Sequence, residues 1–215
     1  MSKREGLVRS LGTVSFFTFL SRILGLLRDM AFAQVFGSGL VADAFFVAFR
    51  IPNLLRKLFA EGSLTVAFVP VFSDYLVNRG RERAFGLART VLSLLIVILS
   101  FVTLVGILLS PWIVTVTAYG FRVSPEKFQL TVLLTRVMFP YILLISVVAF
   151  YMGLLNSFGH FGAPAAAPVF LNVMMIISIY WISPLFKEPI IGVAVGVLLG
   201  GILQVLLQVP FSLSC

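Results

Sequence analysis

The chain has 215 residues, of which 60% are hydrophobic and 11% charged, and its mean hydropathy is +1.11. Soluble domains carry about a quarter charged residues, so this composition excludes a soluble globular domain and indicates a polytopic membrane protein. The formal charge of +8 does not indicate a nucleic-acid partner, because the cations are divided between loops and apolar stretches and form no single solvated patch.

A spanning helix needs roughly 20 residues, which allows about six spans with short loops. The first apolar run, 7–36, has Lys3, Arg4 and Arg9 before or near its start and stops at Gly37-Ser38-Gly39. It resembles a secretory signal loosely, but Arg22, Arg28 and Asp29 interrupt the segment that a signal keeps apolar, so a retained helix is expected. The second run, 40–76, contains RIPNLLRKLFAEG (50–62), and NRGRER (78–83) divides it from a third at 88–114, whose exit begins at Pro111-Trp112. Ser124-Pro125-Glu126 reads as the N-cap and first turn of a fourth helix over 128–155. NSFGHFGAP (156–164) and SPLFKEP (183–189) are turn sequences, and spans follow at 163–184 and 189–210. The fold expected is all-α and integral to the membrane: a six-transmembrane-helix bundle over residues 1–215. The last run ends at PFSLSC with no polar tail, the pattern expected of a truncated longer polypeptide. The single cysteine, Cys215, excludes an intrachain disulfide.

Lys and Arg in the loops orient a membrane protein. One side holds Lys3, Arg4, Arg9, Arg79, Arg81, Arg83 and Arg89, and the other only Arg122, Lys127 and Lys187. Seven against three places the N-terminus in the cytoplasm. Of the 16 cations, this leaves Arg22, Arg28, Arg50, Arg56, Lys57 and Arg136, all at or within expected spans.

A central arginine costs about 2.5–3.5 kcal/mol on insertion scales, so such residues normally face a cavity or a partner. On the first helix, Ser15, Thr18, Ser21, Arg22, Gly25, Arg28 and Asp29 share a face of roughly 140°. On the second, Asp43, Arg50, Lys57 and Glu61 recur at spacings of seven, seven and four, which puts them near one face, with Arg56 to the side. Pro52 lacks an N–H and weakens that helix near its middle, making it a hinge candidate. A loop after a span ending at Phe49 is the alternative for Arg50, Arg56 and Lys57; it would require LTVAFVPVF to cross alone, which is too short. For Arg28 and Arg136, snorkelling to an interface stands beside the cavity reading. Asp29 and Asp43 are expected as ion-pair partners of these arginines.

There is no acid dyad, HExxH, Cys/His ligand set, phosphate-binding loop or Ser/His/Asp constellation, so no catalysis, metal or cofactor is expected. His160 falls in a turn. Gly192, Gly196 and Gly200 lie four apart, which allows a close helix approach, within the fold in preference to a dimer. Asn156, Asn172, Gln204 and Gln208 are interhelical hydrogen-bond groups. Several guanidinium groups in a partly dry cavity select an anion, because the planar fork matches phosphate oxygens and stays charged when desolvated. Chemistry alone thus indicates an anion-binding membrane cavity suited to transport, with a diphosphate on a lipid-exposed molecule as the better match.

SRILGLLRDMAFAQVFGSG (21–39), ADAFFVAFRIPNLLRKLFAEGSLTVAFVPVFSDY (42–75), FPYILLIS (139–146) and LNSFGHFGAPAAAPVFLN (155–172) closely resemble the MurJ/MviN lipid II flippases of bacteria. The resemblance runs along essentially the whole chain, and RIPNLLRKLFAEG is its most specific part. It implies the two-lobed exporter fold of the multidrug/oligosaccharidyl-lipid/polysaccharide superfamily, of which this chain matches the N-terminal lobe. A C-terminal lobe would then be the missing partner. The implied location is the bacterial inner membrane, and the implied substrate is lipid II, the undecaprenyl-diphosphate-linked peptidoglycan precursor, moved by alternating access. Arg22, Arg28 and Arg56 match the family's cationic cavity, where they would hold the diphosphate. Asp43 matches its acidic position, and Arg50 and Lys57 are basic in the same pattern. A flippase for another polyprenyl-diphosphate glycan and a non-transporting scaffold for cell-wall synthesis are the alternatives. Membrane potential and an ion gradient both fit as driving force.

Overall fold

A computed structural model describes the backbone of residues 3–56 and 64–213 and the side chains of residues 11–54 and 67–212. Described elements are helical throughout: α1 (Lys3–Phe36), α2 (Leu40–Arg56), α3 (Leu64–Asn78), α4 (Arg81–Leu108), α5 (Ser110–Thr117), a 3₁₀ turn (Tyr119–Val123), α6 (Pro125–Met138), α7 (Tyr141–Ser157), α8 (Gly162–Ile177) and α9 (Pro189–Leu213). Beyond Ile177 the helix continues as a π-helical turn, Ser178–Ile182, and a 3₁₀ turn, Ser183–Leu185. Among the described residues, five helical segments are long and apolar enough to cross a membrane: Leu11–Phe36, Arg81–Leu108, Pro125–Ser157, Gly162–Leu185 and Pro189–Ser212. The chain is an all-α, multi-pass membrane protein. The second expected span corresponds to α2 and α3; residues 57–63 between them, with Lys57 and Glu61, lie outside the described residues.

Prolines and glycines account for the breaks. Phe139 and Pro140 separate α6 from α7 while both keep right-handed helical angles, so Pro125–Ser157 stays one span despite the N–H that proline removes. The expected 88–114 helix instead begins at Arg81 and breaks at Leu109, where Pro111 sits in the first turn of α5. Arg81 and Arg83, expected in a loop, therefore belong to the first turn of α4, with Glu82 between them. Gly37 adopts φ 63°, a left-handed conformation that glycine reaches without steric cost, and this ends α1 before α2 begins. Pro52 lies inside α2, which continues four residues beyond it to Arg56.

The core lies around α6, α7 and α9. Phe45 and Ala48 of α2, Leu134 and Met138 of α6, Tyr141 and Ile145 of α7, and Ile190, Val193 and Val197 of α9 form one buried cluster. A second joins Phe68 and Phe72 of α3 to Ala84 and Ala88 of α4 and Phe150 and Leu154 of α7. On α4 only small or inward residues are covered, while Leu94, Val97, Phe101, Leu104 and Leu108 remain exposed; that stripe is the surface a lipid phase would solvate. The α1 helix packs chiefly along α8 and meets α2 at one end through Phe32, whose ring lies 5.1 Å from that of Phe45 and 5.0 Å from that of Phe46.

Gly192, Gly196 and Gly200 all face the preceding helix of the same chain. A methyl group at Gly192 would stand 2.5 Å from Ser183 Cα, and one at Gly196 would overlap the Ser178 side chain. At Gly200 it would stand 3.2 Å from Leu171 Cα. One turn further, Gln204 continues the same four-residue ladder, with Nε2 donating to the Ala167 carbonyl at 2.9 Å. The small residues thus bring the α8 and α9 backbones together, and a polar tie follows where the stripe ends.

Candidate functional site

The polar stripe of α1 lies along α8, and its best-defined group is Arg28. Arg28 Nε and Nη2 donate to Asp29 Oδ1 at 3.0 and 2.7 Å, and Nη1 donates to Asn172 Oδ1 on α8 at 3.0 Å. Asn172 Nδ2 donates in turn to the Ser21 carbonyl at 3.0 Å. These bonds use three of the five guanidinium N–H groups, leaving donors for an anion. The Arg28 side chain is 24% exposed, so it is shielded by protein yet reachable from one side.

That side is a cleft of about 420 Å³ lined by Arg28, Phe49, Asn53, Tyr141, Asn172 and Gln204, among others. A second cleft of about 350 Å³ contains Arg22, Thr18, Ser21 and Asn156, and borders the first through shared residues Met152, Pro164 and Pro168. A third, about 570 Å³, is lined by Asp43, Phe46, Val47, Phe49, Arg50, Asn53 and Phe121, and shares Phe49 and Asn53 with the first. The three adjoin through these shared residues into a groove: α1 contributes to the first and second, α2 to the first and third, and α7 and α8 to the first and second. Arg22, Arg28 and Arg50 are distributed along it, and the surfaces between them are largely apolar. Such a groove combines a cationic track with walls that accept hydrocarbon, a chemistry suited to an amphiphilic anion.

Asp29 pairs with Arg28, whereas Asp43, expected opposite an arginine, pairs with Lys127. The cause is tertiary: α2 packs against α6, so the first turn of α2 meets the first turn of α6, and Lys127 arrives there from the segment expected as an outer loop. Lys127 also lies 4.2 Å from the centroid of the Phe121 ring. Because the two side chains are 19% and 55% exposed, the pair contributes about 1 kcal/mol or less. Asp43→Lys or Lys127→Asp alone is expected to lower the melting temperature by about 2–4 °C, and the double exchange to restore it, in a thermal-shift measurement.

Arg136 lies away from the groove; its Nε donates to Ser110 Oγ at 2.9 Å. His160 sits in the turn after α7, where its N–H donates to the Leu155 carbonyl at 2.9 Å. Arg56 ends α2, and its side chain, like Lys57 and Glu61, lies outside the described residues. Of the expected interhelical groups, Asn172 and Gln204 tie neighbouring helices and Asn156 lines the Arg22 cleft. Gln208 is fully buried, and its amide has no protein partner among the described residues. Asn53 and Tyr141 were missed as groove residues. Asn53 carries a local signal, standing three residues after Arg50 on the same helix face, but nothing in the sequence around Tyr141 separates it from core.

The family model described as "Lipid II flippase MurJ" matches residues 32–214. The lipid II flippase MurJ of Burkholderia cenocepacia is 42% identical over 204 residues, covering 95% of this chain and 40% of that protein. The probable lipid II flippase MurJ of Vibrio cholerae is 41% identical over 221 residues, covering 100% of this chain and 42% of that protein. A solved structure titled lipid II flippase MurJ, inward closed conformation, superposes with a TM-score of 0.79 at 31% identity, covering 92% of this chain and 41% of that one. The chain therefore spans about two fifths of the length of the relatives it matches. A matched family model over most of the chain, together with the shared helical fold, shows that this chain belongs to the MurJ lipid II flippase family.

Proposed function

We propose that this chain is the N-terminal lobe of a lipid II flippase, a transporter and not an enzyme. It would carry the undecaprenyl-diphosphate-linked precursor from the cytoplasmic to the outer leaflet of the bacterial inner membrane. The observation that carries this reading is Arg28. It is a guanidinium anchored by Asp29 and Asn172 within an apolar spanning helix, at a cleft lined mainly by hydrophobic side chains. The diphosphate would meet Arg22 and Arg28 along the groove while the polyprenyl tail stays in the bilayer. By family resemblance Arg56 joins them. The excess of Lys and Arg at the N-terminus and around residues 79–89 supports a cytoplasmic N-terminus, and a second lobe of the same protein would supply the opposite wall of the cavity.

The test uses the complete open reading frame that contains this chain, produced in cells depleted of their own flippase. Arg56→Ala is expected to abolish lipid II export while protein abundance stays at the parental level. Normal export by that variant would remove Arg56 from the site. Binding of labelled lipid II to the purified protein separates the transporter from a scaffold, which tolerates loss of all three arginines. Competition with other polyprenyl-diphosphate glycans decides the headgroup.

A further inference from the structure

We infer that Asn172 is a positioning residue, whose carboxamide holds the Arg28 guanidinium in the orientation that meets the anionic headgroup. The inference rests on the reading of Arg28 as a diphosphate contact. Asn172 is 6% exposed and sits on α8 within a membrane-spanning segment. Its Oδ1 accepts from Arg28 Nη1 at 3.0 Å, and its Nδ2 donates to the Ser21 carbonyl at 3.0 Å. Both partners are on α1, about two turns apart. One amide orientation satisfies both bonds. The flipped amide would set its NH₂ against a guanidinium that only donates and its oxygen against a carbonyl that only accepts. Gly25 lies between the two partners on α1: a Cβ there would stand 3.7 Å from Asn172 Nδ2, at ordinary van der Waals contact, so the carboxamide lies against the α1 backbone between Ser21 and Arg28.

Asp29 holds Arg28 from its own helix and Asn172 holds it from the neighbouring one. An arginine ordered before the ligand arrives gives up less rotamer freedom on binding. The same carboxamide ties α8 to α1 beside the cleft, which makes Asn172 the link between the cationic group and the neighbouring helix that lines the same cleft. A residue that clamps helices without acting through Arg28 changes the amount of folded protein. A residue that orients Arg28 changes the affinity of each folded molecule.

The experiment measures lipid II affinity on the monodisperse fraction of the complete protein, for the parent, Asn172→Ala, Arg28→Ala and the double variant. Asn172→Ala is expected to weaken lipid II binding about tenfold, and to add less than about twofold when Arg28 is already alanine, as coupled residues do. Unchanged affinity per folded molecule in Asn172→Ala overturns the inference, as does an equal further loss in the Arg28→Ala background. Should Arg28→Ala bind lipid II as tightly as the parent, the diphosphate reading itself fails and the positioning role falls with it. Should Asn172→Ala yield no monodisperse protein, Asn172→Leu supplies the same readout with side-chain volume kept and the acceptor removed. It is expected to weaken binding about tenfold, again only while Arg28 is present. Parental affinity in Asn172→Leu overturns the inference equally.

Discussion

Arg28→Ala is expected to weaken lipid II binding by about a hundredfold and to abolish export, with protein abundance near the parental level. The size follows from two charge-assisted hydrogen bonds to phosphate oxygens at about 1.5–3 kcal/mol each, taken at the low end because the site is partly open to water. Abundance survives because the side chain is only partly covered, and its partner Asp29 is itself 59% exposed and can be solvated once released. Arg28→Lys separates charge from geometry. Lysine keeps the positive charge but offers a compact ammonium in place of the planar fork, and it cannot hold both Asp29 and Asn172 in the same way while presenting donors to a diphosphate. An intermediate loss, about tenfold in affinity, is expected. Equal export by Arg28→Lys and the parent would show that only charge matters there, and parental export by Arg28→Ala would take Arg28 out of the site. Complementation of a flippase-depleted strain, with abundance followed by immunoblot, reads both variants.

Gly196→Leu should fail for a different reason. Even a methyl group at Gly196 overlaps the Ser178 side chain, whose hydroxyl is fully buried, and Ser178 opens the π-helical turn, so relief requires moving backbone. Overpacking by one or two methylenes costs about 1–3 kcal/mol, and leucine adds more volume than that where α9 meets the π-helical turn after α8. The expected result is loss of monodisperse protein or a strongly lowered melting temperature, with no separate effect on the affinity of any molecule that does fold. Gly86→Ala is the control. Nothing lies within 4 Å of a Cβ at that position, and alanine stabilises a helix interior by about 0.5–1 kcal/mol relative to glycine. Gly196→Leu at parental abundance and stability would mean that α8 and α9 do not meet there.

Much of the architecture was legible in the chain because a hydrocarbon solvent imposes a local rule. A segment that crosses it must be helical and mostly apolar, so apolar run length and Gly/Pro punctuation locate helices without any tertiary information. The same rule made Arg22, Arg28 and Arg50 conspicuous, since a cation in such a run demands a cavity or a partner. The regular spacing of Gly192, Gly196 and Gly200 likewise announced a close helix approach. Helix ends were less legible: the first turn of α4 carries the arginines of NRGRER, because a polar sequence at a membrane boundary forms helix as readily as loop.

Partner choice was decided by packing. Which helix meets the glycine stripe, that Asp43 faces Lys127, and that Asn172 bridges Ser21 and Arg28 all depend on residues far apart in the chain coming within about 3 Å. No period or motif along one helix encodes the rotation and depth of its neighbour. The sequence by itself determined the membrane class, the helices, the stranded cations and the family that RIPNLLRKLFAEG points to. The tertiary structure alone decided that Arg22, Arg28 and Arg50 line adjoining clefts, with Asn172 hydrogen-bonded to the central one, because a cleft exists only between helices and its lining is chosen by how they pack.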